Sequence, residues 1–408
     1  MTHRWLAAAL AASFPFALPG AASAQDGAAF FKGRTAEWIV ATAPGGNFDY
    51  YARLIARHMP KHIPGLSFVV VNRPGAGHII GTNLIYVAKP DGLTLGSFTT
   101  NLIYAQILKR KGIRFDLARM SWIGKAAAET RVLTVGANSE FRTFDDMIAS
   151  KRDVKFAASG VGSGTYTEAY MVGAAFNLPI RVIPGFGNTD AQLAIMRGEI
   201  DAQMAGIANT MASVKAGQAK ILLQIGTEAP GVPNGADYAK TAEARTIVSL
   251  LSALSQVGRV TAGPPDMVPD RLAALRAAYR AALDSPELRA EAAKAGNPID
   301  PAVGDDVATL IKGALDQPPE VVALLEKLAS LKPELVKHKG PVTRSERDGR
   351  MLFLTFEGKE VSAKLSGSRT KVTIGGKPAK RKDVKAGMTC TFAYPRPGAE
   401  AANVDCDG

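Results

Sequence analysis

Three short stretches hold the residues best suited to gripping an anion. They are Pro44-Gly45-Gly46-Asn47-Phe48-Asp49, Arg73-Pro74-Gly75-Ala76-Gly77 and Ser159-Gly160-Val161-Gly162-Ser163-Gly164-Thr165. The first and third set glycines beside hydroxyl or amide side chains, and each of the three lies just ahead of a segment with helical spacing. Glycine permits positive φ and lets a ligand come close to the backbone. A helix start presents unpaired N–H groups and the positive end of the helix dipole, both of which favour anions. Two such loops facing each other would hold a carboxylate through backbone N–H groups and small hydroxyls, without an arginine clamp. Tight turns and ordinary N-caps use the same residue types, so one loop alone would carry little. Their repetition favours ligand binding.

The patterns of catalysis are weaker. Ser163 lies between glycines, but its surroundings are not G-x-S-x-G, the spacing of a nucleophile elbow. His58 and His62 stand at i and i+4 without the intervening Glu of a zinc protease, and read better as a solvated basic helix end. Asp49 and Arg53 are also spaced i, i+4. There a carboxylate can cap the helix and pair with the cation, so Asp49 is expected to support the first loop, as Gly75 and Gly77 are to shape the second. Gly75-Ala76-Gly77-His78-Ile79-Ile80-Gly81 approaches a dinucleotide fingerprint. Its spacing is G-x-G-x-x-x-G and it follows the second strand instead of the first, so an NAD-type oxidoreductase is the weaker reading. No enzyme, no cofactor and no metal site is expected.

The elements that must position these loops alternate along the chain. Residues 37–42, 66–72 and 93–98 read as strands, and helical periodicity follows the first two, at Tyr51, Leu54 and Ile55 and at Ile79, Ile80 and Leu84. This predicts an α/β lobe with a largely parallel sheet. The pattern restarts near residue 120, with strands at 132–135, 154–158, 180–183 and 200–204 and a helix at 144–149 capped by Thr143. Four helices at 269–285, 286–295, 305–315 and 319–331 are expected to return to the first lobe. After Pro333 the texture turns to short strands at 351–356, 361–365, 371–374 and 388–394, with Gly375-Gly376 as a hairpin turn. The expected division is lobe 1 at 30–130 plus 251–332, lobe 2 at 131–250, a linker at 333–340, and a small barrel-like all-β domain at 341–408.

The N-terminus has the order of an export signal: His3 and Arg4, an apolar run at 6–18, then Ala22-Ser23-Ala24. Cleavage after Ala24 and a periplasmic location are expected. The run is shorter than the roughly 20 residues that span a bilayer. In that oxidising compartment Cys390 and Cys406 read as one local disulfide, two reduced buried thiols being the alternative. The formal charge of +12 is concentrated at the end: from Lys337 onward 15 Lys or Arg face 8 Asp or Glu. An anionic surface or partner is therefore a candidate contact for the C-terminal module. No nucleic-acid motif is present, and a monomer is expected.

At these loops the chain resembles the substrate-binding proteins of tripartite tricarboxylate transporters, the Bug or TctC-like family. The resemblance rests on Pro44-Gly45-Gly46 with Asp49 and Ala52-Arg53, and on Val69-Val70-Val71-Asn72-Arg73-Pro74-Gly75-Ala76-Gly77 with Gly81. Pro90-Asp91-Gly92-Leu93-Thr94-Leu95, the 159–164 loop and Gly198-Glu199-Ile200-Asp201 add to it. It covers roughly residues 30–332. It implies a two-lobed, type II Venus-flytrap periplasmic-binding fold, no catalysis, and integral-membrane transporter subunits as partners. The implied ligands are small carboxylates: di- and tricarboxylates, acidic or amidated amino acids, nicotinate and aromatic acids. The implied contacts are Gly45, Gly46, Asn47, Phe48, Thr99, Thr100 and Asn101 from lobe 1. From lobe 2 they are Ser159, Gly162, Ser163, Gly164 and Thr165, with Gly185 and Phe186 at the rim. Phe48 is bulkier than the residue usual there and would narrow the site or stack on a ring. The family's Tyr-Lys-Gly is here Pro184-Gly185-Phe186, so a charge is lost. A sensor that presents its ligand-bound form to a signalling receptor is the alternative to a transporter partner.

Overall fold

The structure is a computed structural model that describes residues 27–226 and 230–408. The export signal expected at 1–24 lies outside the described residues. Among those described, no helix is long and apolar enough to cross a membrane.

The first sheet runs in the order β11-β4-β10-β3-β1-β2. Its strands are β1 (Arg34–Val40), β2 (Leu66–Asn72), β3 (Thr94–Phe98), β4 (Ser121–Lys125), β10 (Val260–Gly263) and β11 (Ala302–Val303). β2, β1 and β3 are parallel, as βαβ crossovers require. The rest is antiparallel: β10 pairs with both β3 and β4, and β11 pairs with β4. The expectation of a largely parallel sheet is thus corrected. β10 enters after the chain has left for the second lobe and come back, so no crossover helix sets its direction. Trp38 and Val40 are fully buried beneath the helices Asn47–His58 and Pro269–Asp284, which contribute Leu54, Leu275, Tyr279 and Leu283 to the same core.

The second sheet has the order β7-β6-β8-β5-β9. Its strands are β5 (Arg131–Gly136), β6 (Val154–Ala158), β7 (Ile180–Pro184), β8 (Ala202–Gly206) and β9 (Ala219–Ile225). β7, β6 and β8 are parallel, while β5 runs against β8 and β9. The helix Phe144–Ile148 opens with a capping box: Thr143 Oγ1 accepts from Asp146 N and Asp146 Oδ2 accepts from Thr143 N.

The chain crosses between the lobes at 126–130 and again at 258–259, and the two crossings are laced together. Ala126 N donates to Arg259 O, and Arg259 N donates to Ala127 O, both at 2.8 Å. Gly258 has φ +52, and a Cβ there would lie 2.0 Å from the Ala127 carbonyl oxygen, so both conformation and space require glycine. The helix Ala242–Val257 packs on the Gly164–Phe176 helix, which moves the return point to 258 from the expected 250.

The expectation that all four late helices join lobe 1 also needs correction. Pro319–Ser330 turns Val321, Leu325 and Leu328 into the cluster that holds Tyr166, Ala169 and Val172 of lobe 2. Its apolar face matches the one left open on the Gly164–Phe176 helix. Tyr166 Oη then donates to Leu331 O at 3.0 Å.

The C-terminal module is a seven-stranded sheet, β14-β13-β12-β17-β18-β15-β16. It comprises β12 (Val336–Glu346), β13 (Met351–Phe356), β14 (Lys359–Lys364), β15 (Lys371–Ile374), β16 (Lys377–Pro378), β17 (Thr389–Tyr394) and β18 (Asn403–Cys406). β12 starts inside the expected 333–340 linker. Its Lys337 and Lys339 face solvent and disguise the strand as a polar connector. A register shift at Val342/Arg344 lets β12 pair with β17 along its first half and β13 along its second. The sheet curls so that Lys364 N reaches Ala399 O and Ala401 N reaches Lys364 O, giving a barrel-like wrap. Its core is Leu352, Leu354, Phe392, Tyr394 and Val404. Cys390 and Cys406 stand directly opposite each other in β17 and β18 and form a disulfide, S–S 2.02 Å.

Candidate ligand-binding cleft

Two parallel strand pairs end at the facing edges of the lobes: β1 with β3, and β6 with β8. Each of the four strands runs into a helix, namely Asn47–His58, Asn101–Ile107, Gly164–Phe176 and Ile207–Lys215. The ends of parallel strands at such a switch point are where open α/β sheets bind ligands. The facing is direct. Asn47 Nδ2 donates to Asn209 Oδ1 of the opposite lobe at 2.9 Å. A Cβ on Gly164 would lie 3.7 Å from Asn101 Oδ1.

The first loop is held from below. Asp49 Oδ2 accepts from Gly45 N at 2.9 Å, and Oδ1 accepts from Arg53 Nε and Asn72 Nδ2, both at 3.0 Å. Asn72 also donates to Thr42 O, and Arg53 donates to Asn72 Oδ1. Loop, helix and the end of β2 thus share one cluster. Burial opposes the ionisation of Asp49, but the hydrogen bonds from Arg53, Gly45 and Asn72 outweigh it and hold the carboxyl below its ordinary 3.8. Gly45 and Gly46 have no described atoms within 4 Å of the side-chain position, although Gly45 N–H is itself taken by Asp49. The Phe48 ring lies 4.1 Å beneath the Arg259 guanidinium.

The second loop lies beside the first. Gly75 and Gly77 have positive φ, as do Ala76 and His78 between and after them. Burial pushes the His78 imidazole pKa down, so the ring is neutral, and its Nδ1 donates to Ala41 O at 3.0 Å. Gly77 brings this turn up to Asn101, whose Nδ2 would be 3.8 Å from a Cβ placed there.

The third loop is a hydroxyl cluster. Thr165 Oγ1 accepts from Ser159 N at 3.0 Å and lies 3.1 Å from Ser163 Oγ and 3.2 Å from Ser159 Oγ. Ser163 caps its helix by accepting from Tyr166 N. Opposite it, at the end of β3, the polar groups are unsatisfied. Thr99, Asn101 and Tyr104 are 7%, 9% and 1% exposed, yet Thr99 Oγ1, Asn101 Oδ1 and Tyr104 Oη have no hydrogen-bond partner among the described residues. Burying such groups unpaired costs about 1–3 kcal/mol each. Burial raises the Tyr104 pKa well above its ordinary value, so it remains a neutral donor. Thr100 precedes Asn101 as the helix N-cap.

Beneath the cleft runs a chain of buried ion pairs. Arg259 grips Glu129 with two bonds, at 2.7 and 2.5 Å, and Arg131 grips Glu168, with 3.8 Å between Arg131 and Glu129. Burial opposes the charge on Glu129, but the guanidiniums of Arg259 and Arg131 hold its pKa below the usual value. This chain, Tyr104 and Asn209 are absent from the sequence expectations. Their spacing along the chain carries no signal, because each sits on a different element.

Gly185 and Phe186 are placed differently from the rest. Phe186 is buried among Ala157, Ala191 and Ile195, and the Arg396 guanidinium of the C-terminal module covers its ring at 3.8 Å. Arg396 also donates to Gly185 O at 2.5 Å, and Ala399 packs on Gly185. The module thus docks where a rim contact was expected. Among the described residues no group of His, Cys, Asp and Glu is arranged to hold a metal.

Residues 51–326 match the family described as the tripartite tricarboxylate transporter family receptor, TctC. The chain is 28% identical over 225 residues to a UPF0065 protein of the tcbD-tcbE intergenic region of Pseudomonas sp. (strain P51), covering 51% of this chain and 64% of that one. It is 27% identical over 225 residues to BugT of Bordetella pertussis, covering 51% and 66%. It therefore spans less than two thirds of the length of these curated relatives. Among solved structures, MatC from Rhodopseudomonas palustris with bound malate superposes with a TM-score of 0.55 at 21% identity, over 72% of this chain and 99% of the other. The periplasmic binding protein BugD gives 0.58 at 19% identity, over 72% and 97%. An R. palustris protein with adipate gives 0.57 at 19% identity, over 74% and 98%. These structures share the two-lobed fold; the C-terminal module lies beyond the family match.

Proposed function

The chain belongs to the family of tripartite tricarboxylate transporter receptors, and from that premise we propose that it captures a small organic carboxylate between its lobes in the periplasm and delivers it to a membrane permease. The observation that carries this reading is a set of three buried polar atoms at and just after the end of β3 that have no partner among the described residues, Thr99 Oγ1, Asn101 Oδ1 and Tyr104 Oη, with Asn101 facing Gly164 of the other lobe's hydroxyl-rich loop. The Thr99 and Tyr104 hydroxyls and the open helix starts donate to a carboxylate's oxygens, while Asn101 Oδ1, an acceptor, takes a hydroxyl or N–H donor; an apolar ligand would leave all of them unsatisfied. The malate and adipate bound to the fold's relatives support the same ligand chemistry.

In this reading Gly45, Gly46 and Asn47 line one wall, Thr99, Thr100 and Asn101 the floor, and Ser159 with Gly162, Ser163, Gly164 and Thr165 the opposite wall. Phe48, stacked under Arg259, is part of the wall. Gly185 and Phe186 are left to the C-terminal module. Titration calorimetry of the mature protein with a panel of organic acids should give one saturable site and unchanged ligand afterwards. A panel that binds nowhere, or an acid that is turned over, would sink the reading.

A further inference from the structure

Four of the nine large hydrophobic side chains left exposed among the described residues fall on one face of lobe 1, and they are 44% to 66% exposed. Ile80, Leu84 and Val87 stand at i, i+4 and i+7 of the helix Ile79–Tyr86 and its C-cap, one stripe along its outer side. A surface helix normally turns its apolar stripe to the core. Here the other side, with Ile79, Thr82 and Ile85, is already buried, so the outer stripe is surplus to packing. Val69 lies on β2, the edge strand of the sheet. It points to the side that this helix covers, because Val71, two residues on, packs against the cluster that holds Ile79 and Ile85. Single exposed aliphatic side chains are ordinary, but a contiguous group marks a contact surface.

A cationic loop is fastened along the stripe. Asn83 comes three residues after Ile80 and four before Val87, so it borders the stripe on the helix surface. Its Nδ2 donates to Gly112 O at 2.8 Å, and its Oδ1 accepts from Arg114 N at 2.9 Å. These bonds hold the segment 109–114 against the helix. Lys109, Lys111 and Arg114 of that segment are exposed, and none forms an ion pair among the described residues. Arg110, between them, turns its guanidinium to Gly162 instead. A second copy docking through the same face would set these cations against their own counterparts, which opposes a symmetric dimer here. An anionic bilayer surface supplies hydrocarbon for the stripe and phosphate for the cations together. We propose that this face of lobe 1 rests on anionic phospholipid, with Leu84 and Val87 entering the headgroup layer and Lys109, Lys111 and Arg114 pairing with phosphates. The contact is peripheral and reversible, it is made by lobe 1 and not by the basic C-terminal module, and it needs no carboxylate in the cleft.

Flotation of the full mature protein with vesicles tests this. Vesicles of phosphatidylcholine containing phosphatidylglycerol should bind it, those of phosphatidylcholine alone should not, and binding should weaken as salt rises. Lys109→Gln, Lys111→Gln and Arg114→Gln together should lower the vesicle affinity on the order of 100-fold, about five-fold for each cation near the bilayer. Leu84→Ser with Val87→Ser leaves every charge in place and should lower it on the order of 10-fold. Both variants change exposed side chains only, so their melting temperatures should match that of wild type. No binding, equal binding to the two kinds of vesicle, or full affinity in either variant overturns the proposal. Salt-sensitive binding that neither variant weakens would move the contact to the C-terminal module. A protein that ignores vesicles but sediments as a dimer, and as a monomer once Leu84 and Val87 are changed, would make this face an interface between copies instead.

Discussion

At the scale of single residues, the cleft is built from groups that hold other groups. Asp49 touches no open surface, yet it fixes Gly45 N, Arg53 and Asn72 together. Replacing it with Asn puts a donor where three donors converge, which should cost about 1.5–3 kcal/mol at neutral pH. The pH dependence follows from its depressed pKa. Below 3.8 the unfolded chain binds a proton that the folded carboxyl resists, so stability is present above 3.8 and lost as pH falls through the folded value. Chemical denaturation of wild type and Asp49→Asn should therefore show a gap that is constant above about pH 5 and closes in acid. A gap that persists unchanged at pH 3 would mean that the lost contacts are not those of the charged form. The glycine and hydroxyl loops stood out in the sequence through their repetition before three helices, since turns and N-caps use the same residue types singly. The Arg259–Glu129 pair was not legible: its members stand 130 residues apart, and nothing local marks a cation whose neighbour is remote.

At the scale of elements, the legible parts were those with strong periodicity. β1, β2 and the helices behind them announce themselves through buried runs and Pro-Gly punctuation. β12 did not, because a solvent-facing alternation of Lys337 and Lys339 looks like linker. Nor did the destination of the Pro319–Ser330 helix, since an amphipathic face says that it must pack but not on what. The module has its own core and its own staple, and the staple can be cut selectively. Cys390 and Cys406 close a span of 16 residues, a loop length whose closure is worth about 3 kcal/mol. Reduction should lower the module's stability by that amount while carboxylate affinity stays unchanged. Hydrogen exchange with and without reductant checks this: protection should fall in β17 and β18 and hold in β1, β3 and β6. Loss of affinity on reduction would instead make the module a working part of the cleft. Its contacts with Gly185 and Phe186 through Arg396 make that a meaningful alternative.

At the scale of the whole molecule, the sequence foretold two lobes and an added β-module, but not the way the lobes interlock. The sheet of lobe 2 comes from one continuous stretch inserted into lobe 1, entered at 126–130 and left at 258–259, and the Pro319–Ser330 helix is added to that lobe later. The consequence concerns time. β10 lies between β3 and β4 in the first sheet, so those two strands have no partner at their facing edges until the chain has passed through the entire second lobe. Lobe 2 needs nothing from beyond residue 257 to complete its own sheet. Refolding should therefore be sequential, with non-local closure the slower event. Pulsed hydrogen exchange during refolding should protect β5, β6 and β8 before β3 and β4. Simultaneous protection of both sheets would refute the order. A chain emerging end-first from a translocation channel would keep its first lobe open longest, with the edges of β3 and β4 waiting for a strand that arrives late.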